Sequence, residues 1–373
     1  MDPGSLASLS GLAIWLAILL LPWRPWGTRE SLDADPQLRA DLTDISVLIP
    51  ARNEEGTIAD TLQALTAQGR GLKVIVIDDE SNDNTVSIAE NSNIPNLQIV
   101  RGTSLPQGWS GKLWALEQGR RHVDTGFILL LDADISLVPG TITALVHKQQ
   151  TGDLQLVSLM AFLRMSGFWE KLLMPAFIYF FKLLYPFRLS NSQKWPVAAA
   201  AGGCILIQKS ALDGIGGFSA IREALIDDCS LAKKIKDRGG KIWTGLTHSA
   251  ISKRPYNTLG TIWNMVARTA FTQLHYSLVL LCLCTFIMIL AFALPLVGLC
   301  LAGSTTKFIA LMTLLMMSAS YLPSLRYYAI PAYWCLCLPV IGILFLLMTW
   351  TSAIRYYAGS GANWKDRNYH RSH

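Results

Sequence analysis

Charged residues are scarce in this sequence, and four long stretches contain none at all. Asp, Glu, Lys and Arg make up 16% of the 373 residues, whereas apolar residues make up 51%. A charge at the centre of a bilayer costs about 2.5–3.5 kcal/mol on insertion scales, so long uncharged runs are typical of membrane spans or buried helices. The four runs are Leu6 to Trp23, Thr269 to Thr306, Phe308 to Leu325 and Tyr327 to Ile354.

The first run lacks two features of a cleaved signal peptide. No basic residue precedes it, and no small-residue cleavage site follows it in "PWRPWGTRE". We therefore predict a transmembrane anchor over residues 1–26. Arg24 and Arg29 directly follow the run, and the positive-inside rule then places the next domain in the cytoplasm.

The other runs predict a transmembrane block of two to three helices over residues 276–352. A juxtamembrane interface segment, 257–275, precedes the block, and a basic tail, 353–373, follows it. The stretch from Phe308 to Leu322 is short for a span, so it is either re-entrant or part of a kinked hairpin. The number of spans and the side of the membrane that carries the tail stay open.

Metal-binding cysteine spacings are also missing. The seven cysteines lie mostly in apolar runs, which predicts buried thiols and neither a disulfide nor a structural zinc site. The excess of positive charge is concentrated near the membrane ends and in the tail. An anionic lipid surface explains this distribution, and nucleic acid is not an expected partner.

Strand-like runs alternate with helical patterns in the region between the anchor and the block. The runs are apolar throughout, which predicts a mostly parallel, Rossmann-like sheet covered by helices on both faces. We assign residues 42–256 to this α/β domain. The predicted strands are Ile45 to Pro50, Leu72 to Asp79, Leu97 to Arg101 and Phe127 to Asp134.

One aromatic segment within this domain, residues 167–189, has a different pattern. Lys171, Lys182 and Arg188 are spaced among apolar residues, which predicts a helix in the membrane interface that is interrupted at Pro175. A core helix of the α/β domain is the alternative interpretation.

Acidic residues follow the predicted strands at the sheet edge where ligands bind in open α/β folds. Asp132 and Asp134 are two apart, so on an extended strand both carboxylates face the same way and can approach one divalent cation together. Asp227 and Asp228 open a later helix, where neighbouring side chains diverge by about 100°, so at most one of them is expected to serve a given site. Helix capping is the plainer explanation for such acids.

Phosphate-binding loops of the usual kind are absent. A Walker motif ending at Lys112 would need glycine at Pro106 and a hydroxyl at Leu113. Lys112 nevertheless precedes a predicted helix and can meet phosphate as a point charge. Nucleotidyl transfer would require a glycine-rich basic loop after the first strand, which "PARNEEGT" does not provide.

These motifs together resemble the family 2 glycosyltransferases of the GT-A fold. The resemblance lies in "VLIPARNEE", "VIDDESNDNT", "GKLWALEQG", "LLLDAD" and "LIDDCSLA", from Ile45 to about Tyr256. Through "LLMPAFIYFFKLLYPFRLSN", "AAAAGGCILI" and "WNMVARTAFTQL", the whole chain is similar to the hopene-associated glycosyltransferases of hopanoid biosynthesis. The Q/R-x-x-R-W signature of processive synthases is replaced by Trp263 to Thr269, so processive transfer is not expected.

The resemblance implies a role for each site residue. Asp228 corresponds to the general base, and Asp132 and Asp134 face a diphosphate and its Mg²⁺ or Mn²⁺ ion. Lys112 lies near the phosphates in this scheme, and Asp79 contacts the base or ribose. The positions implied to contact the nucleotide are Pro50, Arg52, Glu54, Asp79, Lys112 and Asp132.

The function implied is inverting, metal-dependent transfer of a single sugar from a nucleotide-sugar, a UDP-sugar, to a membrane lipid hydroxyl, that of a hopanoid. The alternatives are a polyprenyl phosphate, glycerolipid or ceramide-type acceptor, and a non-catalytic nucleotide-sugar-binding scaffold for hopanoid enzymes. The expected location is the bacterial cytoplasmic (inner) membrane, as a multi-pass protein with its catalytic domain facing the cytoplasm.

Overall fold

The computed structural model describes residues 3–35, 37–301, 303–359, 362–364 and 367–369. The chain divides into two compact units, one containing residues 3–29, 165–186 and 256–359 and the other residues 30–164 and 187–255. Lys365 and Arg371, which belong to the predicted basic tail, lie outside the described residues. Strands and helices are numbered along the whole chain.

The strands of the larger α/β unit are short and mostly buried. A separate pair of three-residue strands follows the last helix of the chain and forms a two-stranded sheet. The strands are β1 (Ile45–Ala51), β2 (Lys73–Asp78), β3 (Leu97–Arg101), β4 (Phe127–Leu131), β5 (Ile135–Leu137), β6 (Leu156–Phe162), β7 (Cys204–Gln208), β8 (Ile242–Ser252), β9 (Ala362–Trp364) and β10 (Arg367–Tyr369).

Helices connect these strands and form most of the other unit. Short 3₁₀ turns occur at Gly217–Ile221 and Ala332–Cys337, and a π-helical turn occurs at Ile289–Ala293. The α-helices are α1 (Pro3–Leu20), α2 (Ile58–Thr66), α3 (Thr85–Glu90), α4 (Gly111–Arg120), α5 (Thr141–Gly152), α6 (Phe168–Leu184), α7 (Phe187–Ser190), α8 (Lys209–Gly214), α9 (Asp227–Asp237), α10 (Leu259–Ala267), α11 (Ala270–Gln273), α12 (Leu278–Met288), α13 (Leu294–Leu301), α14 (Ser304–Tyr327) and α15 (Leu338–Tyr357).

The α/β unit is built on one eight-stranded sheet with the order β3-β2-β1-β4-β7-β6-β8-β5. The pairs β2–β3, β1–β2, β1–β4 and β6–β8 are parallel, whereas β7 runs antiparallel between β4 and β6, and β5 is antiparallel to β8. The predicted α/β fold with a mostly parallel sheet is confirmed. The carboxyl ends of β1, β2 and β4 lie along one edge, as parallel pairing requires.

Alternating side chains of the central strands pack on opposite faces of the sheet. Val47 and Ile49 of β1 belong to a core shared with α2 and α5, whereas Leu48 belongs to a core shared with α4 and α9. All three side chains are fully buried. Burial of one such side chain stabilises the fold by about 1.5–3 kcal/mol, so this two-sided core fixes which face of the sheet each of these residues occupies.

The segment before β1 extends the edge of the sheet. Ser31 forms a parallel bridge with Leu246 of β8. The NH of Leu32 donates to the carbonyl of Leu246 at 2.9 Å, and the NH of Leu246 donates to the carbonyl of Glu30 at 2.8 Å. The compact unit in the structure therefore begins at Glu30. The sequence predicts a start at residue 42, because a single bridge of this kind leaves no local pattern in the sequence.

The other unit contains three C-terminal helices that are long and apolar enough to cross a membrane. They comprise Leu278–Cys300, Ser304–Tyr327 and Ala332–Tyr357. The second of these has 24 residues, so the expectation that it is short for a span is wrong. It includes Lys307 near one end and Arg326 near the other. A search for runs without charge stops at these two residues and therefore underestimates the length of the helix.

Pro175 and Pro295 of this unit both lie within helices. α6 runs from Phe168 to Leu184 without a break, so the predicted interruption at Pro175 is wrong. Pro295 has no NH with which to bond the carbonyl of Ala291, one helical turn earlier. The indole NH of the buried Trp15 donates to that carbonyl at 2.9 Å, so a neighbouring helix satisfies it.

Candidate active site

The loops that follow β1 and β2 are hydrogen-bonded to each other. Arg52 donates from Nη1 to the carbonyls of Asp79 (2.6 Å) and Glu80 (3.1 Å), and the NH of Asn53 donates to Ser81 Oγ (3.1 Å). Asn53 and Glu80 have φ values of 51° and 56°, a left-handed conformation at which the chain turns sharply. The two loops therefore form one wall at the edge of the sheet.

The acids after β2 serve partly to build this wall. The carboxylate of Asp83 accepts from the NH of Thr85, the first residue of α3, at 3.0 Å. Asp78 accepts from the NH of Ser81 at 3.2 Å. The side chain of Asp79, the position implied to contact the nucleotide, is fully buried.

Asp132 lies in a turn between β4 and β5. The NH of Ile135 donates to the carbonyl of Asp132 at 3.0 Å, and the strand has already ended at Leu131. The expectation that Asp132 and Asp134 share one face of an extended strand is therefore wrong. Beyond the turn the two carboxylates have different partners: Asp132 contacts Lys112, whereas Asp134 contacts Arg254 and Ser252.

Asp134 and Glu54 are joined by an arginine that sequence reasoning did not single out. Arg254 donates from Nε to Asp134 Oδ2 (3.1 Å) and from Nη2 to Glu54 Oε1 (2.8 Å). Ser252 Oγ donates to the same oxygen of Asp134 at 3.1 Å. Both carboxylates are largely buried, so this basic residue, two positions after β8 ends at Ser252, compensates their charge.

Lys112 extends from the first turn of α4 into a cluster of carboxylates. Its Nζ lies 2.7 Å from Asp132 Oδ1 and 3.5 Å from Asp227 Oδ2. Its side chain is 22% exposed, so the ammonium group is partly shielded from solvent. A lysine thus occupies the position where positive charge is expected beside Asp132.

Asp228 is held by main-chain NH groups on both oxygens. The NH of Gly202 donates to Oδ2 at 2.8 Å, and the NH of Cys229 donates to Oδ1 at 2.7 Å. A Cβ atom at Gly202 would lie 3.1 Å from Lys112 Nζ and 3.4 Å from Asp228 Oδ2. The absence of a side chain at Gly202 therefore permits the close approach of the base candidate to the backbone.

Electrostatics distinguish the carboxyls of this cluster. Burial raises the pKa of Asp228 to about 7, and the charge of Asp227 acts in the same direction. Burial also raises the pKa of Asp132, against the opposing charge of Lys112. The three carboxylates Asp132, Asp227 and Asp228 raise the pKa of Lys112, so it remains an ammonium ion.

One cleft at the carboxyl end of β1 and β4 brings several predicted residues together. Lys112, Asp132 and Asp228 line it, with Asp227 beside them. Sequence reasoning expected only one of the two adjacent acids there, but both are in the first turn of α9 and the long side chain of Lys112 reaches Asp227. Pro50 also lines the cleft. The apolar part of the lining is formed by Leu113, Leu116, Ile205, Phe218, Ile221 and Leu231.

The donor set at this cleft fits a divalent cation that shares its ligands with a substrate. Among the residues that the structure describes, no three Asp, Glu, His or Cys side chains surround a common point. Mg²⁺ is commonly bound by one or two carboxylates, with water and substrate phosphates completing its shell. Asp132 provides a hard oxygen ligand of this kind, and its approach to an ammonium ion shows that its surroundings accept positive charge.

The cleft belongs to a recognisable class of domain. Residues 46–216 match the family model described as glycosyl transferase family 2. With the mixed α/β sheet described above, this match supports a family 2 glycosyltransferase domain of the GT-A fold in that stretch, which is less than half of the chain. The domain is thus of an enzyme class, the glycosyltransferases.

Two curated relatives are 4,4'-diaponeurosporenoate glycosyltransferases. The protein of Staphylococcus haemolyticus is 32% identical over 113 residues, which are 30% of this chain and 30% of the relative. That of Staphylococcus aureus is 30% identical over 128 residues, 34% of each chain. The match therefore spans about a third of the relatives' length.

A solved structure shares the fold over nearly the entire chain. It is the mannosyltransferase of Pyrobaculum calidifontis in complex with GDP-Man and Mn²⁺, with a TM-score of 0.58 and 19% sequence identity. The similarity covers 95% of this chain and 99% of that one. At this level of identity the similarity establishes the fold.

Proposed function

We propose that this protein transfers a single sugar from a nucleotide-sugar, a UDP-sugar, to the hydroxyl group of a membrane lipid of the hopanoid class, with inversion at the anomeric carbon. The observation that carries the proposal is the convergence of Lys112, Asp132 and Asp228 in one cleft of a family 2 domain. This set combines a cation, a ligand for a divalent metal and a candidate base.

Asp228 is suited to accept the proton of the attacking hydroxyl. Its pKa of about 7 makes it a stronger base than an exposed aspartate, while leaving a large ionised fraction at neutral pH. Asp227 is less suited, because its carboxylate lies 3.5 Å from the ammonium group of Lys112. The NH groups of Gly202 and Cys229 fix the orientation of the Asp228 carboxylate.

The leaving diphosphate requires positive charge. Asp132, with Asp134 nearby in the chain, is proposed to hold Mg²⁺ or Mn²⁺, which neutralises the diphosphate when it is bound. Lys112 adds an ammonium group at the same cleft. The similar mannosyltransferase was solved with Mn²⁺, which supports this assignment.

The donor pocket is proposed to lie against the paired loops after β1 and β2. Pro50, Arg52, Glu54 and Asp79 belong to these loops or to the strand ends beside them. Arg52 Nη1 donates to the main-chain carbonyl of Asp79 at 2.6 Å, so a bound base or ribose that shifted one of these residues would also shift the other. Glu54 is fixed by its ion pair with Arg254.

A lipid acceptor is supported by the three helices that are long and apolar enough to span a membrane. The protein is proposed to reside in the bacterial inner membrane with its catalytic domain in the cytoplasm. A second candidate acceptor is a carotenoid-type lipid, because the two staphylococcal relatives are named for diaponeurosporenoate.

The test is transfer of labelled sugar to extractable lipid by membranes that contain the full chain. A panel of UDP- and GDP-sugars is incubated with hopanoid or carotenoid acceptors, with and without a chelator. Asp228→Asn should reduce turnover by about 10²–10⁴-fold and keep donor binding, since general-base catalysis contributes about that much. Asp237→Asn, at the exposed end of the same helix, is the matched control.

Three outcomes would count against parts of the proposal. Unchanged turnover in Asp228→Asn would remove the base assignment. Turnover that is insensitive to chelator would remove the metal. Binding of the nucleotide-sugar without any transfer or nucleotide release would favour a scaffold role.

A further inference from the structure

The Nζ atom of Lys112 lies among the carboxylates of the cleft. It lies 2.7 Å from Asp132 Oδ1 and 3.5 Å from Asp227 Oδ2, and Asp228 adds a third negative charge nearby. Asp132 Oδ1 is also the oxygen proposed above to bind a divalent ion. An ion that approached Asp132 would therefore meet a positive charge already in place.

Space around the ammonium group is restricted on the backbone side. Gly202 lies so close that a Cβ there would be 3.1 Å from Nζ. The side chain of Lys112 is 22% exposed and that of Asp132 is 32% exposed, so the open side of the pair faces the solvent-accessible part of the cleft. Movement of Lys112 away from Asp132 is therefore less hindered towards the cleft, where the diphosphate of the proposed donor would be, than towards Gly202.

We infer that Lys112 competes with the divalent metal for Asp132. When the donor is absent, the Lys112 ammonium group contacts the carboxylates, and when metal and donor bind together, this ammonium group moves to the diphosphate. This inference rests on the proposed function for the identity of the donor. It assigns Lys112 two opposite effects. Lys112 weakens binding of the metal alone, and it strengthens binding of the metal–nucleotide complex.

Charge accounts for both effects. Like charges a few ångströms apart repel each other even with strong solvent screening, so removing the ammonium group should tighten binding of a bare divalent ion at Asp132. A nucleoside diphosphate brings negative charge of its own, which attracts both the metal and Lys112. The lysine then contacts phosphate instead of opposing the metal.

The test measures Mn²⁺ binding to the detergent-solubilised full chain, by titration calorimetry and by the electron paramagnetic resonance signal of free Mn²⁺. Lys112→Met should lower the dissociation constant for Mn²⁺ alone by roughly tenfold or more, as expected for the loss of a nearby like charge. In the presence of UDP the same variant should bind Mn²⁺·UDP more weakly than the unsubstituted protein.

Two further variants provide controls. Lys112→Arg keeps the positive charge and should retain the weak binding of Mn²⁺ alone. Lys233→Met removes an exposed lysine that pairs with Asp237 on the surface of α9, and it should change neither measurement. If Lys112→Met is unfolded in a thermal melt, Lys112→Gln carries the same expectation with a polar side chain.

Unchanged or weaker binding of Mn²⁺ alone by folded Lys112→Met or Lys112→Gln would overturn the inference. Equal tightening in Lys112→Arg would do the same, because it would show that charge is not responsible. Neither result depends on sugar transfer. A chain that transfers sugar while failing this test retains the proposed function, and a chain that passes it without transferring sugar loses only that function.

Discussion

At the scale of single residues, the buried carboxyl of Asp228 links activity to stability. Its pKa in the folded protein is about 7, well above the ordinary value of 3.8 that applies to the unfolded chain. The unfolded chain therefore loses this proton more readily, so the ionised group destabilises the fold as the pH rises from about 4 to 7. Above pH 7 the full cost is present.

The effect of Asp228→Asn on the thermal unfolding temperature, relative to the unsubstituted protein, should therefore be clearly more favourable at pH 8 than at pH 5. Asparagine keeps the size of the side chain and carries no charge to bury. Melting curves in detergent at both pH values measure the difference. Asp237→Asn on the same helix should show no such pH-dependent gain, and a gain of equal size at pH 5 would contradict the pKa.

The sequence leads to some site residues and misses others for a physical reason. Lys112, Asp132 and Asp228 are recognisable because each follows or opens a regular element in a motif. Arg254 carries no such signal, since its ion pairs with Glu54 and Asp134 join positions 200 and 120 residues apart in the chain. A pairing of this kind depends on the tertiary fold alone.

At the scale of secondary-structure elements, the start of α6 depends on one buried acid. Glu170 Oε2 accepts from the NH groups of Ser166 and Gly167 at 2.9 Å, and its Oε1 accepts from the NH of Tyr256 at 2.9 Å. Burial alone would raise the pKa of Glu170, but these NH donors hold it below its ordinary value of 4.5. The carboxylate thus fixes the first turn of the helix and joins it to the segment before α10.

Glu170→Gln should destabilise the unit that contains α6 by about 1.5–3 kcal/mol at pH 7, the range for hydrogen bonds to a charged group. Because the folded pKa is depressed, this contribution is complete above the unfolded value and is lost as the pH falls through the folded value. Denaturation at pH 7 and below pH 4 measures it. A deficit in the variant that persists below pH 4 would show that shape, and not charge, is responsible.

Periodicity predicts the elements that a local pattern defines. The starts of β1, β3 and β4 and all the helices between them follow from apolar runs and their breaks. The antiparallel insertion of β7 between β4 and β6 does not, because its register pairs Cys204 with Leu131 across more than 70 residues. The turn at Asp132 is missed for a different reason, because no glycine or proline separates the run "FILLL" from Asp132.

At the scale of the whole molecule, the count of membrane crossings decides where the tail lies. Three helices after residue 255 are long and apolar enough to span, and if all three cross, the two ends of this block lie on opposite faces. An epitope inserted after Gly359 and one inserted at the exposed Gln107 should therefore be accessible from opposite sides of sealed vesicles. Accessibility from one side would support a re-entrant segment.

The short stretch 30–34 has a further consequence for the molecule. It covers the main-chain groups of Leu246 on β8 beyond the point where β5 ends. Unpaired backbone at a sheet rim is a template for strand exchange between copies and hence for aggregation. A shortened protein that begins at residue 38 would expose an unpaired segment of β8 and should aggregate more readily, although it would retain every residue of the cleft.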